Sequence, residues 1–321
     1  MNISRRHFLE TAALGGLGVN ALTAAEVDKK TGMQTRILGR TGARVSVLAF
    51  GAGSRFLAYK DENKALEVLN KAIDMGINYV DTANSYGNGQ SETWVGKLMK
   101  TRRKDVWLTT KLSVRKADDA MKAVDATLKR LQTDKIDLIH IHSLTRADDL
   151  AAIEAPDGVL KALYKLRDQK VCRAIGVTSH TDPNVLKTAL ERHDFDCTQM
   201  ALNAAKVGNV FGKAAEGITG SFEEIALPVA VRKNMGIIAM KVFAQERLVG
   251  KAAPAKLIAY ALSLPISACV VGMPQWEHVE ENIRAAKEFK PLPRGEMDRL
   301  NQQMLPLKAS IDRFFANHMD C

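Results

Sequence analysis

The chain has 321 residues, 46% of them hydrophobic and 26% charged, with a formal charge of +10. That balance suits one large globular domain and excludes a disordered or fibrous chain. Lys and Arg are interleaved with acids along helical stretches, which makes a solvated basic surface and no recognisable nucleic-acid face, while steering anionic ligands well. Four cysteines are too few for a disulfide framework in a chain this long. Cys172, Cys197 and Cys269 lie in or beside apolar runs, Cys321 is the last residue, and no Cys-x-x-Cys occurs.

In chain order, residues 1–25 read first, as a targeting segment. Ser4-Arg5-Arg6-His7-Phe8-Leu9 precedes a weakly apolar stretch rich in Gly and Ala that ends in Thr23-Ala24-Ala25. This resembles a bacterial twin-arginine export signal with cleavage after Ala25, although Glu10 stands where Lys is common. The resemblance implies the twin-arginine machinery as a partner, a periplasmic or otherwise exported product, and a mature domain of residues 26–321. Cleavage would remove Arg5, Arg6 and Glu10 and leave a charge of +9, so the basicity belongs to the mature domain. No later stretch reaches the roughly 18 apolar residues of a membrane span.

Residues 35–38 and 43–45 flank Gly39-Arg40-Thr41-Gly42 and predict a hairpin that closes the bottom of the fold. Apolar runs then begin at Val47, Asn78, Val106, Ile136, Arg173, Thr198, Gly236 and Ala268, at intervals of 25–38 residues. Between them lie segments of helical spacing, such as 64–75, 118–131, 159–169 and 185–192. Eight strand-helix units predict a single α/β domain, a closed parallel (β/α)8 TIM barrel. A doubly wound sheet is the alternative, but Gly51-Ala52-Gly53 lacks the third glycine of its phosphate-binding fingerprint.

Four polar residues end or follow these runs: Asp81 and Tyr86 in Asp-Thr-Ala-Asn-Ser-Tyr-Gly, Lys111 in Leu-Thr-Thr-Lys, and His142 in Asp-Leu-Ile-His-Ile-His. In a barrel all four converge on the C-terminal mouth. A phenol, an ammonium, a carboxylate and an imidazole are the parts needed to hand a proton to a carbonyl oxygen. Hydride must come from a cofactor, since no side chain stores one. An ammonium beside a tyrosine lowers its pKa from about 10, and Asp81 would hold Lys111 charged. The bland alternatives are a structural ion pair, a packed loop tyrosine and a buried histidine. His140, two residues earlier on the same strand face, reads as packing or support; a His140/His142 metal pair lacks an evident third ligand.

Gly76-Ile77-Asn78-Tyr79-Val80-Asp81-Thr82-Ala83 with Tyr86-Gly87, Asp137-Leu138 leading to His142, and Ile175-Gly176-Val177 resemble the aldo-keto reductases in order and spacing. The likeness runs from about Arg36 to Asn282. It implies NAD(P)-dependent reduction of an aldehyde or ketone, or oxidation of the alcohol, with Tyr86 as general acid, Lys111 and Asp81 as the pair that tunes it, and His142 orienting the carbonyl. It places Gly51, Ala52, Thr178, Ser179, Gln199, Met240, Lys241, Glu281 and Asn282 at the cofactor, with Asn203 beyond Gln199. The sequence departs from the family at several of these. Thr178-Ser179 stands for Ser-Asn, and Met240 stands where an aromatic often stacks on nicotinamide. Gly272 and Met273 stand where a cation and a hydroxyl often hold the 2′-phosphate, and His278 replaces a common Arg. Lys241, Arg247 and Arg284 are candidate substitutes. NADP is the expected cofactor, with NAD as the alternative, and a monomer is the expected state.

Export would place the protein where free nucleotides are scarce, which favours a tightly held cofactor cycled between two substrates under residues 241–250. Pocket loops at 54–59, 143–156 and 203–220 and the tail after 291 hold few aromatics, chiefly Phe56, Tyr59, Phe211, Phe314 and Phe315. A small aldehyde, ketone or sugar-like carbonyl fits them. Two other readings use the same residues: a Schiff-base aldolase with Lys111 as nucleophile, and a non-catalytic, nucleotide-binding redox-sensing subunit with an obligate partner.

Overall fold

A computed structural model describes residues 24–208 and 219–316. Residues 1–23, which hold most of the segment expected to direct export, and Phe211 lie outside the described residues.

All eight anticipated runs are strands: β4 (Leu48–Gly51), β5 (Tyr79–Asp81), β6 (Trp107–Leu112), β7 (Ile136–Ile141), β8 (Cys172–Ser179), β9 (Cys197–Ala201), β10 (Gly236–Met240) and β11 (Ala268–Val271). They pair in parallel and close in the order β10-β11-β4-β5-β6-β7-β8-β9. Each strand is buried on both faces, which is why it reads as an apolar run and not as an alternating one. The anticipated helices form between them, at Glu62–Asp74, Ala117–Leu131, Val159–Asp168 and Pro183–Arg192 among others. Their starts are chemically marked: Asp61 accepts from Lys64 N at 2.8 Å, and Asp182 accepts from Asn184 N at 2.8 Å just ahead of Pro183. The loop expected after β7 contains an additional helix, Ala147–Glu154.

Parallel pairing carries one side-chain parity round the barrel. Lys111 pairs with His140, and His140 with Gly176, so these positions form one inward layer. Below it Leu38, Tyr79, Trp107, Leu138, Ala174, Cys197, Ile238 and Ala268 make an apolar plug. Leu38 comes from the predicted hairpin, seen as β2 (Gln34–Ile37) and β3 (Arg44–Ser46), with a third, unanticipated strand, β1 (Glu26–Val27), paired to β2. Two residues are too few to show a period.

The hairpin is stitched to the barrel base. Arg40 N donates to Asn234 O at 2.8 Å, and its guanidinium pairs with Asp194 at 2.7 Å. Gly39 makes the approach possible, with φ +48 and a hypothetical Cβ only 2.2 Å from Gly236 N. Gly39→Ala therefore combines left-handed strain with a backbone collision, and is expected to cost about 2 kcal/mol or more. Urea unfolding of the variant checks this; an unchanged midpoint would show that the hairpin does not brace the barrel.

Candidate active site

The four polar residues meet at the mouth. Asp81 ends β5, Lys111 is the penultimate residue of β6, and His142 follows β7 directly. Tyr86 opens a short helical turn, Tyr86–Gly89, in which Gly87, Asn88 and Gly89 all take positive φ. That run of left-handed residues reverses the chain behind the tyrosine and feeds it into the helix Gln90–Arg102.

Lys111 is 1% exposed, and its ammonium has three N–H donors. They meet Asp81 Oδ2 at 2.6 Å, Thr82 O at 2.8 Å and the Tyr86 hydroxyl at 3.3 Å. Burial works against the ammonium, but the carboxylate of Asp81 and the phenol of Tyr86 outweigh it and hold the Lys111 pKa above its ordinary value. Burial lifts the Asp81 carboxyl, with Lys111 and a long 3.5 Å contact from Gln199 pulling the other way. The His142 ring stands edge-on to Tyr86 with centroids 5.7 Å apart. Its Nδ1 lies 3.4 Å from Ser85 Oγ and 3.3 Å from Ser113 Oγ, and these contacts fix the ring. His140, fully buried one layer deeper, is kept neutral: burial and the Lys111 charge push its pKa well below the ordinary histidine value. Among the described residues no cluster of three or more His, Cys, Asp or Glu could hold a metal ion.

The model of the aldo/keto reductase family matches residues 47–256, which is more than half of the chain. The chain belongs to the aldo/keto reductase family. This reductase is 28% identical over 295 residues to an uncharacterized oxidoreductase, YqkF, of Bacillus subtilis, covering 79% of this chain and 91% of that protein. It is 27% identical to the L-galactose dehydrogenase of Arabidopsis thaliana, with 82% and 91% covered. Among solved structures, the holo form of an aldo-keto reductase from Bacillus halodurans superposes with a TM-score of 0.68 at 25% identity, covering 84% of this chain and 96% of that one. The reductase is accordingly an NAD(P)-dependent oxidoreductase acting on carbonyl or alcohol groups.

Glycine backbone and the cations Arg55 and Lys241 at its mouth suit part of a phosphate-bearing nucleotide. A groove of about 160 Å³ leads from Asp81 and Tyr86 past Gly51, Gly53 and Gly272 to Arg55, Lys241, Gln245 and Glu246. Glycine keeps it open: a Cβ at Gly51 would stand 3.0 Å from Val271 O, and one at Gly53 3.4 Å from the Tyr86 ring. Of the residues assigned to the cofactor by resemblance, Gly51, Gln199, Met240 and Lys241 line this groove.

The others are placed differently. Ala52 is fully buried one residue past the inward Gly51. Thr178 Oγ1 accepts from Ser143 N at 2.8 Å and Ser179 Oγ donates to Leu144 O at 2.7 Å, so both hydroxyls brace the loop after β7. Glu281 and Asn282 lie on the helix Trp276–Lys287, Asn282 buried and Glu281 half-buried. Asn203 is buried, bonding Val207 through both N–H and carbonyl.

Sequence reasoning passed over several residues here. Arg115 donates to His142 O at 2.8 Å and Ser143 O at 3.2 Å, and is itself held by Asp149 at 2.6 Å, so it sets the backbone that carries His142. Arg55 and Glu246 face one another across the groove rim. A charged residue just beyond a strand end was the available signal for Arg55 and Arg115, and it was drowned by the many other basic residues.

Proposed function

We propose that the protein reduces a small aldehyde, ketone or sugar-like carbonyl, with Tyr86 as the proton donor, His142 orienting the carbonyl oxygen, and Lys111 and Asp81 setting the acidity of Tyr86. The observation that carries this reading is the buried chain Asp81–Lys111–Tyr86, with contacts of 2.6 and 3.3 Å. A bound nicotinamide supplies the hydride. The Lys111 ammonium favours the tyrosinate and thereby makes the phenol a stronger acid near neutral pH. Asp81 keeps that ammonium charged in a site that burial would otherwise neutralise. His142, anchored at Nδ1, presents an imidazole edge beside the phenol, so a carbonyl oxygen placed between them meets two polar groups from one side.

The same geometry disfavours the aldolase reading. A Schiff-base lysine attacks as the neutral amine, whereas Lys111 has a raised pKa and all three N–H positions taken. NADP(H) is the nucleotide we favour, on family habit. Fluorescence titration of the full chain with NADPH and NADH, followed by nicotinamide absorbance with a panel of small aldehydes, tests both points. Tight binding with carbonyl-dependent oxidation is the expected result; a folded protein that binds neither nucleotide would end the hydride-transfer reading.

We infer also that residues 1–25 direct export through the twin-arginine machinery, on the strength of Arg5-Arg6 and the Thr23-Ala24-Ala25 site. Cleavage there leaves Glu26, the first residue of β1, whose carbonyl accepts from Thr35 Oγ1 at 3.0 Å. Mass spectrometry of protein from a bacterial periplasm should show an N-terminus at Glu26, and loss of periplasmic protein on Arg5→Lys/Arg6→Lys. A cytoplasmic protein that keeps Met1 would refute the assignment.

A further inference from the structure

Tyr86 reaches Lys111 from a loop, and that loop is closed at its base by one hydrogen bond. Thr82, directly after β5, and Ser91, in the first turn of the helix Gln90–Arg102, are both fully buried, with their hydroxyl oxygens 2.7 Å apart. Ser91 Oγ donates to Ala52 O, just past β4, so the proton of the Thr82–Ser91 bond comes from Thr82 Oγ1. Thr82 is therefore held from two sides, its hydroxyl by Ser91 and its carbonyl by the Lys111 ammonium at 2.8 Å. The residue that closes the tyrosine loop is also one that receives the lysine.

Glu92, next to Ser91, ties the same helix to the strand that carries Lys111. It is fully buried and accepts from Thr110 Oγ1 at 2.6 Å, Thr127 Oγ1 at 3.1 Å and Arg130 Nε at 2.7 Å. Thr110 precedes Lys111 on β6 and faces out of the barrel. Arg130 also packs on the loop, where a Cβ at Gly89 would stand 2.7 Å from its Cδ. The loop needs these anchors. Gly87, Asn88 and Gly89 take left-handed φ, and its internal bonds, Tyr86 N to Ala83 O and Asn88 N to Ser85 O, are long at 3.2 Å. Such a turn persists only where its surroundings over-determine it. The influence of the ammonium on the phenol, meanwhile, weakens with distance.

We propose that Thr82 and Ser91 are positioning residues of the reaction: their buried hydroxyl clasp, braced by Glu92, holds Tyr86 at the distance from Lys111 at which the phenol is acidified. This rests on the proton-donor reading above. A clasp that served the fold alone would lower stability when cut and leave the acidity of Tyr86 unchanged. A positioning clasp changes both.

The experiment uses the full chain as wild type, Thr82→Val, Thr82→Ser, Ser91→Ala and Thr82→Val/Ser91→Ala, each with a Tyr86→Phe counterpart. The alkaline rise in tyrosinate ultraviolet absorbance, taken as the difference from that counterpart, reports Tyr86 without substrate or nucleotide. Turnover is followed with glyceraldehyde and NADPH. Thr82→Val keeps the shape and loses the hydroxyl, and Ser91→Ala deletes one oxygen. Each is expected to lower kcat about tenfold with KM within about twofold of wild type. Each should also move the Tyr86 titration to higher pH, because a phenol further from the ammonium is a weaker acid. Lys111 from β6, Asp81 from β5 and His142 beyond β7, the groups around the phenol, are untouched in every variant. The double variant should match Ser91→Ala, since both changes cut the same bond. Thr82→Ser, which keeps the hydroxyl, should titrate and turn over within about twofold of wild type. A Tyr86 titration at the wild-type pH in Thr82→Val and Ser91→Ala overturns the proposal, as does a Thr82→Ser as damaged as Thr82→Val. Should Thr82→Val misfold in a thermal melt, Ser91→Ala decides alone. A wild type that oxidises no NADPH with glyceraldehyde or other small aldehydes fails the reductase reading instead, and the titration still decides the clasp.

Discussion

Tyr86→Phe is expected to lower turnover of a carbonyl substrate by roughly a hundred- to ten-thousand-fold, the range associated with a positioned general acid. Nucleotide affinity should stay within about twofold of wild type, because the substitution removes one oxygen and keeps the ring that packs against Gly53. Parallel kcat measurements and nucleotide titrations separate the two. If binding and turnover fall together, the tyrosine is a wall of the groove and not the donor. The pH profile carries a second signature. With Tyr86 as the proposed donor, reduction needs the phenol protonated, so its rate should fall as pH rises through the phenol's pKa. Lys111, held above its ordinary value by Asp81 and Tyr86 against burial, remains charged through that limb. The limb therefore belongs to Tyr86 and should vanish from whatever residual activity Tyr86→Phe retains.

The barrel and the four polar residues were legible in the sequence because each depends on local pattern. A strand buried on both faces reads as an apolar run, even in β5, which has three residues, and a polar residue closing such a run stands out. Asp81, Lys111 and His142 required only the rule that barrel strands deliver their C-terminal ends to one mouth. The rim of the groove was not legible. Arg55 and Glu246 come from distant parts of the chain and meet only because β11 closes beside β4. Lys241, Ala244, Gln245 and Glu246 take left-handed φ without a glycine to announce the turn, since tertiary contacts such as Arg247 on Phe314 hold them there. Thr178 and Ser179, assigned to the cofactor by resemblance, also tie the loop after β7 through Ser143 N and Leu144 O, a bracing that no local pattern announces.

Lys111→Met is expected to be the most damaging single change to the site, because it removes the charge proposed to tune Tyr86 and strands a buried carboxylate. Asp81 is 3% exposed, and breaking a buried ion pair by deleting one partner costs about 3–5 kcal/mol. Burial already lifts the Asp81 pKa with the ammonium 2.6 Å away. Without Lys111 it must rise further. The sign of the pH dependence follows. A carboxyl whose folded pKa exceeds its unfolded one binds more protons folded than unfolded, so the variant gains stability on acidification and loses it as pH rises between those two values. In the wild type, Lys111 works at the other end of the scale. Its raised pKa gives a contribution that is complete below the unfolded lysine value and lost only as pH climbs through the folded one, in the alkaline range. Urea unfolding at about pH 5 and about pH 8 should therefore narrow the gap between variant and wild type in acid. Lys111→Met/Asp81→Asn removes the stranded charge and should recover most of the lost stability, yet turnover should stay low, since neither residue can then acidify Tyr86. Recovery of turnover together with stability would mean that Lys111 and Asp81 serve the fold alone.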